Sequence, residues 1–68
     1  MMDWTPVKSS NLESVGYDSQ ARELHVRFRG GTVAKYYDVS PEDHQALLRA
    51  PSVGKHYHRH FRGAFQRP

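Results

Sequence analysis

Residues 55–62 carry the side chains that are most able to do chemistry in this chain. On a helix, one side or flank would carry His56, Arg59, His60 and Arg62, and Lys55 begins the segment. The aromatic members, Tyr57 and Phe61, would face the other side. Cations on one face neutralise phosphates, and aromatic or guanidinium planes stack on bases, so the pattern predicts a nucleic-acid-binding stripe. The alternative is a solvated polar face opposite an ordinary core stripe.

The histidines of this segment also raise the question of a metal. His56 and His60, four residues apart on a helix, could both reach one zinc ion. However, the chain has no cysteine, and no acidic residue follows Asp43, so a third ligand is missing nearby. We therefore expect no metal and no cofactor. Surface histidines that become charged below about pH 6.5 are the simpler interpretation, and they would tighten polyanion binding from pH 8 to pH 6.

A second candidate anion site lies at Ser52 and Gly54, just before Lys55. A capping serine, a glycine without a side chain and exposed backbone N–H groups at a helix start together resemble an anion-binding nest. The alternative is that Ser52 only caps the helix and Gly54 only permits close packing.

Charge is divided unevenly along the chain. All seven acidic residues lie between Asp3 and Asp43, whereas five of the ten Lys and Arg residues follow Asp43. A polyanion would therefore be attracted to one end of the molecule and repelled by the other.

The length of 68 residues predicts one small domain over residues 1–68, with no room for a deep catalytic cavity. We therefore expect a binding module and not an enzyme. No stretch approaches the roughly 20 apolar residues that span a bilayer, so a cytoplasmic location is the default expectation.

Apolar residues alternate with polar ones in the first half of the chain, which is typical of strands with one buried face. The clearest case places Leu24, Val26 and Phe28 on one side. Strands are predicted over residues 13–18, 23–29 and 32–39, with a turn after Asp18 and a hairpin at Gly30 and Gly31.

The length of that hairpin loop decides which residues face the core. A two-residue loop would pair Lys35 with Val26 and bury the lysine, whereas a three-residue loop with a glycine bulge places Ala34 and Tyr36 on the buried face. Burying an unpaired lysine is costly, so we prefer the longer loop. The outward face would then carry His25, Arg27, Val33, Lys35 and Tyr37. Arg27 and Lys35 would form a second cationic patch.

Two helices are predicted after the strands. Ser40 caps the first, Pro41 occupies its first position, and Pro51 ends it at or before Ala50. Ser52 caps the second. The order predicts an α+β domain in which a three-stranded antiparallel meander is followed by two short helices packed on one face.

Several short motifs, in this order and spacing, resemble those of the KTSC domain, named after the C-terminal domain of some lysyl-tRNA synthetases. The resemblance covers about residues 7–65. The motifs are Ser9-Ser10-Asn11-Leu12, Val15-Gly16-Tyr17-Asp18, Leu24-His25-Val26-Arg27-Phe28, Gly30-Gly31, Tyr36-Tyr37-Asp38-Val39, Leu47-Leu48 and Ser52-Val53-Gly54-Lys55.

Two positions depart from the family pattern. Ala34 stands where the first tyrosine of a Tyr-x-Tyr motif is usual, and His58 stands where an asparagine often follows the aromatic residue of the second helix. If the two tyrosines stack on bases in the family, this chain has lost one platform. If they are core residues, only volume is lost.

RNA binding has been suggested for this family, whose function is otherwise unknown. Together, the residues and the resemblance favour a non-enzymatic module that binds RNA or another nucleic acid through the second helix. The alternative is a protein-interaction module that uses a sheet edge or an exposed aromatic patch, including homodimerisation.

Overall fold

In a computed structural model, which describes residues 2–61, the chain forms a sheet followed by two helices. The elements are β1 (Asp3–Pro6), β2 (Leu12–Asp18), β3 (Glu23–Phe28), β4 (Val33–Tyr36), α1 (Pro41–Arg49) and α2 (Val53–His60). The sheet is antiparallel, with strand order β1-β2-β3-β4. The α+β class is therefore confirmed, but the predicted number of three strands is wrong. Arg62 lies outside the described residues.

The strand that the sequence did not reveal is β1. It pairs with β2 along Asp3↔Tyr17 to Pro6↔Ser14, and all four of its residues are exposed. Its backbone is paired while its side chains contribute little to the core, so no alternating apolar pattern is needed to form it. Proline is also compatible with an edge strand, where one row of N–H groups has no partner in the sheet.

A bulge in β2 explains why that strand begins one residue earlier than predicted. Leu12 pairs with Phe28 and Ser14 pairs with Arg27, so Glu13 is an extra residue relative to β3. The extra residue places Leu12 on the same side of the sheet as Val15, although they are three positions apart. Both side chains are fully buried.

The hairpin between β3 and β4 has the three-residue loop that the cost of burying Lys35 predicted. The N–H of Phe28 donates to the carbonyl of Thr32 at 2.8 Å, and Gly31 adopts a φ of +97° that favours glycine. Val26 consequently pairs with Ala34, and Leu24 pairs with Tyr36.

The third predicted strand was too long at its C-terminal end. β4 ends at Tyr36, and Asp38 has a φ of +59°, which interrupts the extended backbone. Val39 instead donates its N–H to the carbonyl of Arg22 at 2.9 Å and is fully buried. Tyr37, predicted on the outward strand face, lies after the end of β4 and is half-buried.

The two helices cover one face of the sheet, which we call the inner face. Their caps form as predicted: the Oγ atoms of Ser40 and Ser52 accept from the N–H groups of Asp43 and Lys55, respectively. The buried hydrophobic core between sheet and helices consists of Leu12, Val15, Tyr17, Leu24, Val26, Tyr36, Val39, Leu47, Val53, Tyr57 and Phe61. Among the described residues, no helix is long and apolar enough to cross a membrane.

Aromatic rings join α2 to the sheet. The Tyr57 ring contacts Phe28 and Tyr36 edge to face, and the Tyr36 and Tyr57 hydroxyls are hydrogen-bonded in the core. Tyr36 and Phe61 are each about 1% exposed. Tyr36, Tyr57 and Phe61 are therefore core residues and are not available for base stacking.

Candidate functional site

The orientation of α2 follows from its apolar residues. Val53, Tyr57 and Phe61, each four residues apart, are buried, so the polar residues between them must face away from the core. The predicted cationic residues on this helix are exposed, except His56, which is half-buried.

Four of the predicted side chains come together along this face. Lys55, His56, Arg59 and His60 line one cavity of about 240 Å³, beside Ala50, Pro51 and Ser52 of the connection between the helices. We call these four residues the α2 cluster. The His56 and His60 rings lie next to each other on successive helical turns, with centroids 4.3 Å apart and planes tilted by 35°. The cavity is open, which suits a polyanion lying across the surface better than an enclosed small molecule.

An acidic residue lies at the edge of this cluster. Asp43 of α1 lines a neighbouring cavity of about 270 Å³ together with His56 and His60. Within residues 2–61, no group of three or more His, Asp and Glu side chains could hold a metal ion.

The surroundings of His56 lower its pKa. Burial lowers the pKa of His56 below its usual 6.5, and the positive charges of His60 and Arg59 lower it further, while Asp43 acts in the opposite direction. His56 therefore gains its proton at a lower pH than an exposed histidine would. Any tightening of anion binding that depends on His56 is therefore expected mainly below about pH 6.5. The predicted gain in affinity between pH 8 and pH 6 should be smaller for this reason.

Ser52 and Gly54 both have structural roles at the start of α2. The Ser52 Oγ accepts from the Lys55 N–H at 3.4 Å. A Cβ added to Gly54 would lie 3.0 Å from the Oγ of Ser9, so the absence of a side chain lets the helix approach this loop. The Ser9 Oγ accepts from the N–H groups of Asn11 and Leu12, both at 3.2 Å. The anion nest stays a prediction.

The second predicted patch lies on the opposite side of the sheet. Arg27 and Lys35 alternate with Val26 and Tyr36, whose side chains are buried beneath the helices. The structure therefore separates this patch from the α2 cluster by the thickness of the domain. Arg62 lies beyond the described residues and stays a prediction.

Sequence reasoning missed Trp4, which lies on the same side as Arg27 and Lys35. The Arg27 guanidinium carbon lies 4.6 Å from the centre of the Trp4 ring. The signal that could have revealed Trp4 is a large aromatic residue two positions before a proline, with polar Asp3 and Thr5 on either side, which is compatible with an exposed edge strand.

Comparison with known proteins agrees with the motifs described above. The KTSC domain family model matches residues 8–65, and the chain therefore belongs to the KTSC domain family, as the resemblance predicted. The chain is similar to the crystal structure of a KTSC domain protein from Yersinia pestis, with a TM-score of 0.90, 34% identity, and coverage of 96% of this chain and 92% of that chain.

Two relatives differ greatly in length. An uncharacterized protein of Stutzerimonas stutzeri is 43% identical over 56 residues, which cover 82% of this chain and 79% of that protein. A lysine–tRNA ligase of Nostoc punctiforme is 29% identical over 59 residues, which cover 87% of this chain but 10% of the ligase. The same kind of domain therefore occurs both in small proteins and as a minor part of a large enzyme.

Proposed function

We propose that this KTSC domain is a non-enzymatic module that binds RNA or another nucleic acid through the α2 cluster. One observation carries the proposal: Lys55, His56, Arg59 and His60 line a single open cavity on the exposed face of α2. Two of these side chains are a lysine and an arginine, and two are histidines, which have one N–H donor when neutral and two when protonated.

The absence of acidic residues from α2 also favours an anionic partner. No acidic residue follows Asp43, so α2 carries no negative charge of its own. A phosphate backbone on this face would be repelled mainly by the Asp43 carboxylate at the cavity margin. The similarity to part of a lysine–tRNA ligase is compatible with an RNA ligand.

Binding should be measured by fluorescence anisotropy with single-stranded RNA, tRNA and duplex DNA at about 50 and 200 mM salt. We expect affinity to fall steeply with salt, because phosphate contacts release counterions. The double substitution Lys55→Ala and Arg59→Ala should weaken binding and reduce the salt slope by about 2, since each phosphate contact contributes about 1.

A matched control removes the same charge elsewhere. Lys8 and Arg49 are exposed and do not line the cavity of the α2 cluster. The double substitution Lys8→Ala and Arg49→Ala should change affinity much less. Equal losses in both double variants would show that net charge alone drives binding, and unaltered binding by the Lys55 and Arg59 variant would remove α2 from the proposal. A partner bound without salt dependence would favour a protein-interaction module.

A further inference from the structure

The side of the sheet that faces away from the helices, the outer face, carries a row of directly paired residues across all four strands. Trp4 pairs with Gly16, Gly16 pairs with His25, and His25 pairs with Lys35. Because neighbouring strands are about 4.8 Å apart, this row spans roughly 14 Å from Trp4 to Lys35. Among the described residues, no helix covers this face, since both helices pack on the other one.

Gly16 lets the Trp4 indole lie flat on the sheet. A Cβ added at Gly16 would lie 2.8 Å from both Cδ2 and Cε2 of Trp4, closer than real atoms approach. The ring, together with the Met2 side chain, whose Cγ would lie 2.9 Å from that Cβ, occupies the space that any other residue at position 16 would fill. Trp4 is nevertheless 39% exposed, so part of the indole remains accessible to a ligand.

The side chains of Arg27 and His25 adjoin the ring. The Arg27 guanidinium lies over it, with the carbon 4.6 Å from the ring centre, and the His25 ring lies edge-on at 6.3 Å between centroids. Lys35, exposed on β4, ends the row. The outer face thus combines a partly exposed indole, a guanidinium plane that lies over it and a separate ammonium group.

Acidic side chains lie at one end of this surface. Asp18 and Glu23 pair with each other at the β2–β3 turn. The Asp18 carboxylate accepts from the N–H groups of Gln20 and Ala21, and Glu23 lies 3.3 Å from Nε2 of His25. A polyanion would therefore be favoured on the side of Arg27 and Lys35 and disfavoured near the turn.

From this arrangement we propose that the outer face binds single-stranded nucleic acid, with a base stacked on the Trp4–Arg27 pair and phosphates near Arg27 and Lys35. The inference rests on the proposed ligand class but uses a different surface from the α2 cluster. Single strands fit because their unpaired bases can reach a stacking plane, whereas the bases of a duplex are stacked on each other. An acidic peptide would use the cations but would leave the aromatic plane without a role.

Trp4 is the single tryptophan of the chain, so its fluorescence reports directly on this surface. The test titrates the protein with a 12-nucleotide oligouridine RNA and with a 12-base-pair duplex RNA. We expect saturable quenching of Trp4 fluorescence by the single strand and little by the duplex. Saturable anisotropy of a labelled oligouridine with no change in Trp4 fluorescence would overturn the inference.

Substitutions supply the second measurement. Trp4→Ala should weaken oligouridine binding by about five- to 100-fold, whereas Trp4→Phe, which keeps an aromatic plane, should retain a large part of the affinity. Thr5→Ala is the matched control, because Thr5 is exposed on the same strand but has the opposite orientation. Circular dichroism establishes that each variant is folded. Equal affinities for Trp4→Ala and the parent would contradict the proposal.

The two proposals fail separately. If the Lys55 and Arg59 double variant keeps its affinity while Trp4→Ala loses it, the outer face binds the ligand and the α2 proposal is wrong. The reverse result overturns the outer-face proposal alone, and absence of binding to any nucleic acid overturns both. A protein that is dimeric in light scattering, and monomeric after Trp4→Ala, would show that a second copy occupies this face instead.

Discussion

The two faces of the sheet use the same strands for different purposes. On β3, Leu24 and Val26 point to the inner face and are fully buried, while His25 and Arg27 point to the outer face. On β4, Tyr36 is in the core and Lys35 is exposed. One backbone therefore positions both the hydrophobic core and the outer row. Stability and ligand binding should therefore respond to different, adjacent residues.

The largest expected effect is on the inner face. Leu24→Ala removes a fully buried side chain and leaves a cavity, which should lower the free energy of unfolding by about 2 to 5 kcal/mol. Lys35→Ala is the control on the outer face, where exposed substitutions usually change stability by about 0.5 kcal/mol or less. Urea denaturation at fixed pH measures both. Similar losses in the two variants would contradict the division between faces.

The inner face was the more predictable of the two. Alternation in β3 and the cost of burying Lys35 were sufficient to give the hairpin register, because one face had to exclude water. Tyr36 followed from that register, and Tyr57 and Phe61 followed from their spacing of four residues on the predicted second helix. The bulge at Glu13 did not, because nothing in the local alternation shows an extra residue opposite β3.

The candidate sites were less predictable because surface residues are not constrained by packing. The helical spacing of residues 55–60 was sufficient to bring the α2 cluster together, since neighbours on one helix need no tertiary information. The outer row was not predictable, because it requires β1 to pair with β2 and place Trp4 on Gly16. The alternation in β3 and β4 predicted a common face for Arg27 and Lys35, but it did not predict that this face lies opposite α2.

A smaller effect on the inner side should appear as pH dependence. The His44 ring stacks on Tyr17 with centroids 4.3 Å apart, and burial lowers the pKa of His44 below its usual 6.5, with Asp3 acting in the opposite direction. Within the described part of the chain, its buried Nε2 has no hydrogen-bond partner. The unfolded chain therefore binds this proton more readily than the folded protein does, and stability should fall as pH drops below about 6.5.

His44→Phe keeps a ring against Tyr17 and removes this titration. Urea midpoints at pH 7.5 and 5.5 should therefore differ less in the variant than in the parent protein. The shift of the urea midpoint between the two pH values is compared between variant and parent, because other groups, including His56, titrate in both proteins. Identical changes would show that His44 does not sense pH through folding.

The smallest expected effects distinguish the two candidate surfaces by their acidic neighbours. Glu23 lies beside His25 on the outer face, whereas Asp43 lies beside His56 and His60 near the α2 cluster. If a single strand occupies the outer face, Glu23→Gln should raise its affinity by up to about fivefold, since exposed charge interactions contribute about 0.2 to 1 kcal/mol. If the ligand occupies the α2 cluster, Asp43→Asn should give the larger gain.

Salt dependence checks that these gains are electrostatic. Each gain should decrease between about 50 and 200 mM salt, because screening shortens the range of surface charges. Oligouridine anisotropy at both concentrations measures this, with unfolding midpoints recorded in parallel, since Asp43 also lies in the first turn of α1, where acids stabilise a helix. Gains in both variants would mean that nucleic acid reaches both sides of the domain. No gain in either variant would place the ligand away from both acids and would show that neither carboxylate repels it.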